Sequence, residues 1–340
     1  MSRVQYLAKR FLLSIPVVVF GTSLTFLIIR LGPIDPAAAI LGPDADPQNV
    51  ERYERIREQL GLNEPLWEQY LSFMWEMLTF DLGASWVVHP GADVNALLMV
   101  YMPRTLWLGF WSVVIALFIG IPLGFYAGVN PNTPADYLAS FGGIVWRAMP
   151  NFWLAIIFAA LLVQSERFLF GFNWTAWLIE TDVIGTPDLE NLHRPSNFLA
   201  ATKQIFPAAL VLGSASMGNE MRIGRTAVLE TINSNYVDAA RAKGVSGGRL
   251  IWKHVFRNAL IPLIPVITSE AFLLIGGSVL VEVIFGINGL GWLFFEATIQ
   301  GDIPLAGSLM FFFIVLIVGV NILQDVLYTV IDPRVGYERT

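Results

Sequence analysis

The sequence has no cysteine, only three histidines and few charged residues. Without cysteine the chain has no disulfide, no thiolate metal site and no thiol nucleophile. The three histidines, His89, His193 and His254, are scattered and do not suggest a metal site. Charged residues make up 14% of the 340 residues, whereas soluble domains contain roughly 25%. The net charge of −6 argues against nucleic acid as a partner.

The small share of charged residues is matched by a large share of hydrophobic ones. They make up 55% of the chain, which includes 24 Phe and 11 Trp, and the mean hydropathy is +0.60. A bilayer core needs roughly 20 apolar residues in one helix. We therefore predict an all-α polytopic membrane protein rather than a soluble enzyme. Its six predicted transmembrane helices are Phe11–Ile29, Thr105–Ala127, Ile144–Val163, Ile205–Met221, Leu263–Phe285 and Leu305–Ile331.

The orientation follows from the basic residues. The first apolar run exceeds the usual 7–15-residue core of a signal peptide, so we expect a retained span. With the N-terminus inside, the inner segments 1–10, 128–143, 222–262 and 332–340 carry twelve basic and five acidic residues. The outer segments carry eight basic and eighteen acidic residues. This bias places both termini in the cytoplasm and predicts a multi-pass protein of the cell membrane.

The domain organisation follows from these spans. Residues 1–29 form the cytoplasmic N-terminus and the first helix, 30–104 an extracytoplasmic segment, and 105–340 the core with its other five helices. In the outer segment, Val50–Leu60 and Pro65–Phe80 show amphipathic helical patterns. Their Trp and Tyr residues suit the membrane interface. The patterns fit helices on the outer membrane surface and equally a cap that docks a partner.

The inner loop 222–262 contains signals for two short helices. Asn235 can cap a helix that begins at Tyr236, with Asp238 in its first turn. Gly244 is placed to end this helix in a left-handed conformation. Ser246 can then cap a second helix that ends before Pro262.

The composition of the first short helix suggests its role. Ala239 and Ala240 keep it slim, so that it can enter a groove. A basic loop that contacts lipid headgroups is the alternative. The defined caps and small residues favour docking into a groove of another protein.

Two strings in this loop carry a family resemblance, Asp238-Ala239-Ala240-Arg241-Ala242-Lys243-Gly244 and Arg257-Asn258-Ala259-Leu260-Ile261-Pro262. They resemble the EAA loop of permeases of binding-protein-dependent ABC importers, and more narrowly the B-type subunit of dipeptide and oligopeptide permeases in the peptide/nickel group. Asp238 departs from the pattern, in which Glu or Thr is commoner. Further matching strings are Gln59-Leu60-Gly61-Leu62, Pro103-Arg104-Thr105-Leu106, Met149-Pro150-Asn151-Phe152-Trp153-Leu154 and Asp332-Pro333-Arg334-Val335.

The resemblance implies a permease subunit that forms half of a translocation pathway. Its partners would be a homologous second permease, two ATP-binding subunits or domains that dock inside, an extracytoplasmic substrate-binding protein and the lipid bilayer itself. The EAA loop would be the coupling helix that docks on an ATP-binding subunit. The implied coupling residues are Tyr236, Asp238, Ala239, Ala240, Lys243, Gly244 and Val245.

No catalytic residue is expected in this chain. The sequence contains no G-x-x-x-x-G-K-[ST] phosphate loop. We therefore expect ATP and Mg²⁺ to be bound by the partner subunits and no cofactor or metal to be bound here.

The sequence indicates the type of transporter more narrowly than it indicates the transported substrate. The resemblance favours dipeptides or oligopeptides, while nickel, glutathione and oligosaccharides are carried by relatives with the same signature. A self-contained ion-coupled carrier is the alternative from another class. Such a carrier would use intramembrane acids, and an internal repeat would support it, but the sequence shows no convincing repeat.

Several charged residues fall within or at the ends of the predicted spans. Arg147, Glu220 and Asp325 lie near inner ends, where snorkelling or an ion pair accounts for them. Glu270 and Glu282 are candidates for lining the pathway.

A glycine repeat marks the second predicted span. Gly120, Gly124 and Gly128 share one helix face at every fourth position. This spacing predicts close helix packing there rather than a ligand site.

Overall fold

A computed structural model describes residues 3–32, 35–41, 50–59, 61–263 and 278–331. Within these ranges the chain is helical and has no β-strand, and its only strand-like pairing is an isolated bridge between Ala84 and Asp93. The all-α class predicted from the hydrophobic runs is confirmed.

The helices fall into a few long ones joined by short ones. Two π-helical segments, Ala116–Gly120 and Leu250–Phe256, and one 3₁₀ turn, Ile261–Leu263, complete the helical structure of the described residues. The α-helices are α1 (Arg3–Leu31), α2 (Pro36–Leu41), α3 (Val50–Gln59), α4 (Leu66–Thr79), α5 (Val94–Ile115), α6 (Ile121–Val129), α7 (Pro134–Ala148), α8 (Asn151–Val163), α9 (Ser165–Phe168), α10 (Pro195–Ile232), α11 (Asn235–Ala242), α12 (Gly247–Arg249), α13 (Arg257–Ala259), α14 (Ser278–Phe285), α15 (Leu290–Gln300) and α16 (Ile303–Ile331).

Length and hydropathy identify the helices that can cross a membrane. Four qualify singly, namely Gln5–Leu31, Val94–Val129, Pro195–Ala215 and Ile303–Val326. Two further pairs qualify together but are bent, α7 with α8 by 99° and α14 with α15 by 89°. Counting each bent pair as one span would give the predicted number of six. Because each pair bends sharply, the six-helix topology stays a prediction. Residues 264–277, in the predicted fifth span, lie outside the described residues.

The described parts of Met1–Pro103 and Asn288–Asp325 form one compact unit. Here α4 packs along α1. The Phe26 ring lies 5.4 Å from that of Tyr70 and 5.5 Å from that of Phe73, and the Tyr70 and Ser23 hydroxyls are 2.7 Å apart. Ser23 is eight residues from the end of α1, or about 12 Å along the axis. The amphipathic pattern of α4 is thus explained in part by contact with the first span.

A buried carboxylate, that of Asp302, fixes a loop in the same unit. It accepts hydrogen bonds from the Ser85 hydroxyl and from the backbone N–H groups of Trp86, Val87 and Val88. Asp302 is fully buried at the start of α16. The carboxylate therefore satisfies donors that this half-buried loop would otherwise leave unpaired on the protein side.

The described parts of Arg104–Ile287 and Val326–Val335 form the second unit. Its core contains side chains of α5, α8, α10 and α14. They include Leu108, Leu154, Ile205, Val281 and Phe285, each at most 4% exposed.

The predicted glycine face packs against α10. A Cβ atom at Gly124 would lie 2.5 Å from the carbonyl oxygen of Met221, and one at Gly128 would lie 2.7 Å from Cβ of Val228. At Gly120 it would lie 2.7 Å from the Glu220 carboxylate. Only glycine allows this approach, so the prediction of close packing is confirmed.

Candidate functional site

The predicted coupling helix is α11. It begins at Asn235, one residue earlier than predicted, and its N-cap residue is Ser234. The backbone carbonyl of Ser234 accepts from the N–H groups of Val237 and Asp238. The Ser234 side chain accepts no bond from the first turn of α11, and its hydroxyl donates to the carbonyl of Thr231. The predicted capping role of Asn235 is therefore wrong by one position.

The other end of α11 is closed by a glycine motif. Gly244 has φ of +79°, as expected of a glycine that ends a helix. Its N–H donates to the carbonyl of Arg241 at 3.0 Å, and the N–H of Val245 donates to that of Ala240 at 3.2 Å. These two bonds are the Schellman pattern, which requires the left-handed residue between them. The sequence predicted this conformation of Gly244 correctly.

The two faces of α11 differ sharply. Val237 is fully buried and Ala240 is half-buried, so this side anchors the helix. Tyr236 is 48% exposed, and Ala239 and Lys243 are exposed as well. The free face therefore offers a small, partly apolar surface with one cation at its end.

Beneath α11 lies a cluster of apolar side chains that joins several elements. Ala227 and Val228 come from the end of α10, Leu250 and Val255 from the π-helical segment, and Phe125 from α6 packs at its edge. The anchoring side chain Val237 belongs to this cluster. The cluster therefore connects α11 with α6 and with the C-terminal end of α10.

A buried ion pair that the sequence did not predict joins α7 to α10, the helix that contributes to this cluster. Arg225, on α10, donates through Nε and Nη2 to the two carboxylate oxygens of Asp136 at 2.6 and 2.8 Å. Asp136 also accepts from the N–H of Asn132 and from the hydroxyl of Ser140, and it is 1% exposed. The hydrogen bond to this carboxylate raises the pKa of Arg225. The pair ties the start of α7 to the helix that leads to α11.

Of the two predicted pathway acids, only Glu282 lies within the described residues. Glu282, on α14, is fully buried and accepts a hydrogen bond from the Thr105 hydroxyl at 2.9 Å. Glu270 lies outside the described residues. A pathway role for either residue stays a prediction.

The other charged residues that the sequence places near inner ends of spans have different surroundings. Asp325 pairs with Arg10 at 3.4 Å, and Arg147 donates to the Asn219 amide oxygen at 3.2 Å. Glu220 is fully buried beside Gly120. Among the described residues, no group of three or more His, Cys, Asp or Glu side chains is placed to hold a metal.

Comparison with protein families adds two matches that together cover most of the chain. Residues 120–337 match the family described as binding-protein-dependent transport system inner membrane component. Residues 3–86 match its N-terminal membrane component. The first match includes the whole of α11.

Individual relatives match over nearly full length. The chain is 33% identical over 332 residues to the oligopeptide transport system permease protein AppB of Bacillus subtilis, covering 98% of this chain and 99% of that protein. It is 34% identical over 335 residues to the dipeptide transport system permease protein DppB of Alkalihalophilus pseudofirmus, with 98% and 99% covered. The DppB protein of Escherichia coli K12 is 30% identical over 349 residues, with 98% and 99% covered.

Among solved structures, a chain of the MetNI methionine ABC transporter in an inward-facing conformation is similar in fold. The TM-score is 0.51 at 18% identity, and the match covers 69% of this chain and 96% of that chain. At this identity the likeness shows the fold alone.

Proposed function

The chain belongs to the family of binding-protein-dependent transport system inner membrane components, and from this premise we propose that it couples ATP hydrolysis on partner subunits to peptide import. It is a multi-pass cell membrane protein and an ABC importer permease. In the proposal it forms half of the translocation pathway, and a homologous second permease forms the other half.

The observation that carries the proposal is the construction of α11. Its exposed face of Tyr236, Ala239 and Lys243 suits a cleft, while Val237 on the opposite face is fully buried in the cluster shared with α10 and α6. A helix built in this way can receive a push from a docked subunit and pass it to the spans. A basic loop on lipid headgroups has no need of such an anchor.

The proposal assigns ATP and Mg²⁺ to two partner ATP-binding subunits or domains. This chain has no phosphate-loop sequence and would contribute only the docking surface. An extracytoplasmic binding protein would deliver the cargo. We propose dipeptides or oligopeptides as that cargo, because relatives covering 98% of the chain are named for them.

Uptake into vesicles tests this function. The chain is reconstituted with its second permease and ATP-binding subunits, the binding protein is added outside, and a labelled tripeptide is the probe. We expect uptake that requires ATP inside the vesicles. Uptake driven by a proton or sodium gradient without ATP would contradict the proposal and favour the ion-coupled carrier.

Substitution at Gly244 tests the coupling helix in the same assay. No atom would lie within 4 Å of a Cβ there, so Gly244→Val acts only through the left-handed backbone. That conformation costs a β-branched residue about 1–2 kcal/mol, and we expect uptake to fall by about fivefold to thirtyfold. Gly248→Val is the matched control, because Gly248 also faces open space and lacks a positive φ. Wild-type uptake by Gly244→Val would mean that the left-handed conformation of Gly244 is not needed for transport.

A further inference from the structure

A cavity of about 410 Å³ lies in the first unit, between α1, α4, the turn after α3 and the start of α16. We call it the α1–α4 cavity. Its walls include Phe26 and Arg30 of α1, Glu76 of α4 and Pro304 of α16. The volume is within the range of roughly 300–1,000 Å³ typical of small-molecule sites.

The charges on its walls have both signs. Among the described residues that line it, Arg30 is the one cation, and Glu58, Glu64 and Glu76 contribute carboxylates. A cation alone would be attracted to the acids but would leave Arg30 without an anion, and an anion alone would pair with Arg30 but be repelled by the three acids. The walls therefore suit a ligand that carries one charge of each sign.

Arg30 forms no close ion pair among the described residues, although the Glu76 carboxylate interacts with it electrostatically across the cavity. Its guanidinium carbon lies 5.9 Å from the centre of the Phe26 ring, which holds the side chain in place. Its Nη1 is buried and has no hydrogen-bond acceptor, and no carboxylate lies within ion-pair distance among the residues that the structure describes. A buried charged donor without an acceptor is costly, so a bound anion would stabilise it.

Glu76 lines the same cavity and carries the opposite charge to Arg30. Burial raises the pKa of its carboxyl group, and the nearby Asp81 raises it further. Its carboxylate accepts a long hydrogen bond of 3.5 Å from the Ser72 hydroxyl. A bound ammonium group would favour the charged carboxylate.

The position in the chain indicates where such a ligand would come from. In the predicted orientation, Arg30 is at the outer end of the first span and Ile303 at the outer start of the last. Leu27, Ile28 and Leu31 of α1 expose 47%, 60% and 72% of their surface. The cavity is therefore placed at the depth of the outer lipid headgroups, next to an apolar helix surface.

We infer that the α1–α4 cavity binds a phosphoethanolamine headgroup, with its phosphate on Arg30 and its primary ammonium on Glu76. Phosphate oxygens accept hydrogen bonds from guanidinium N–H groups. A primary ammonium has three N–H groups and can donate to several carboxylates. Phosphatidylcholine has no N–H to donate, and phosphatidylglycerol has no cation to face the acids. The same chemistry would be presented by a lipid or by a free headgroup.

Lipid binding to the assembled importer complex tests the inference. Delipidated complex is titrated with phosphatidylethanolamine, phosphatidylcholine or phosphatidylglycerol, and bound lipid is counted by native mass spectrometry. We expect a roughly tenfold preference for phosphatidylethanolamine, which Arg30→Gln and Glu76→Gln abolish. Arg55→Gln and Glu54→Gln are the controls, because both residues are exposed on α3 and do not line the cavity. Binding of glycerophosphoethanolamine in competition would identify a free headgroup as a sufficient ligand.

Thermal unfolding supplies an independent readout. In phosphatidylglycerol, which offers Glu76 no ammonium group, Glu76→Gln removes one of the three neighbouring cavity carboxylates and should leave the midpoint unchanged or raised. In phosphatidylethanolamine the same substitution should lower it. If Arg30→Gln does not accumulate, Arg30→Lys keeps the charge and should retain most of the preference. Equal binding of the three lipids, or unchanged preference in both Gln variants, would overturn the inference without bearing on ATP-driven uptake.

Discussion

Two buried aspartates, one in each unit, are satisfied in different ways. Asp136 is held by a charged partner, Arg225, in addition to two neutral donors. Asp302 is held by neutral donors alone, mainly the backbone N–H groups of residues 86–88. They are 1% and 0% exposed, so burial does not distinguish them.

The difference indicates what each aspartate does. Backbone donors belong to a single loop conformation, so Asp302 fixes the shape of that loop. A guanidinium on another helix joins two elements, so Asp136 links α7 to the part of α10 that precedes α11. We therefore expect substitutions at Asp302 to reduce mainly stability and those at Asp136 to affect both stability and transport.

The largest effect is expected at Asp302. Asp302→Asn places an amide N–H₂ group against donors and removes the charge that strengthens their hydrogen bonds. We expect a loss of about 3–5 kcal/mol in the free energy of unfolding, measured by denaturant titration in detergent. Asp93→Asn, at an exposed position preceding the next helix, should cost less than about 1 kcal/mol. A smaller loss at Asp302 than at Asp93 would contradict the assigned role.

A somewhat smaller loss is expected at the ion pair. Asp136→Asn leaves Arg225 without its counter-charge, but the Arg225 side chain is 29% exposed and water offsets part of the loss. We expect a loss of about 2–3 kcal/mol. Arg225→Lys keeps the charge without the paired geometry and should lie between wild type and Arg225→Gln.

Transport distinguishes this pair from a purely structural contact. At a temperature where each variant is folded, Arg225→Gln should reduce peptide uptake more than it reduces ATP hydrolysis. Arg222→Gln, one turn away and exposed, is the matched control. Parallel loss of hydrolysis and uptake would assign the pair a structural role only.

The smallest effect is expected at the exposed pair on α11. Asp238 and Arg241 are 3.0 Å apart with side chains 59% and 58% exposed. Solvent screens such a pair, so Asp238→Asn should cost no more than about 0.5 kcal/mol in unfolding free energy. A loss as large as that of Asp136→Asn would break the distinction between buried and exposed aspartates.

Local features of the chain were predictable from sequence, whereas long-range polar pairs were not. The helix of α11, the left-handed Gly244 and the glycine face of Gly120, Gly124 and Gly128 depend on residues within a few positions. Asp136 and Arg225 are 89 positions apart, and Ser85 and Asp302 are 217 apart.

The acid of the ion pair, Asp136, lies at a position that helix capping alone would explain. Asp136 is three residues after Thr133, whose hydroxyl accepts from its N–H at 3.3 Å, as in an ordinary helix cap. An acid at this position therefore needs no distant partner to be understood. Arg225 is likewise one of many basic residues on the inner side.

The central claim is that α11 docks on an ATP-binding subunit. Because the chain has no cysteine, Ala239→Cys creates a single thiol on the exposed face of that helix. In the reconstituted complex, a short bifunctional reagent should link this thiol to an ATP-binding subunit, and Asp188→Cys, in a predicted outer segment, should give no such product. Failure of Ala239→Cys, Tyr236→Cys and Lys243→Cys to link to that subunit in an intact, transporting complex would contradict the account.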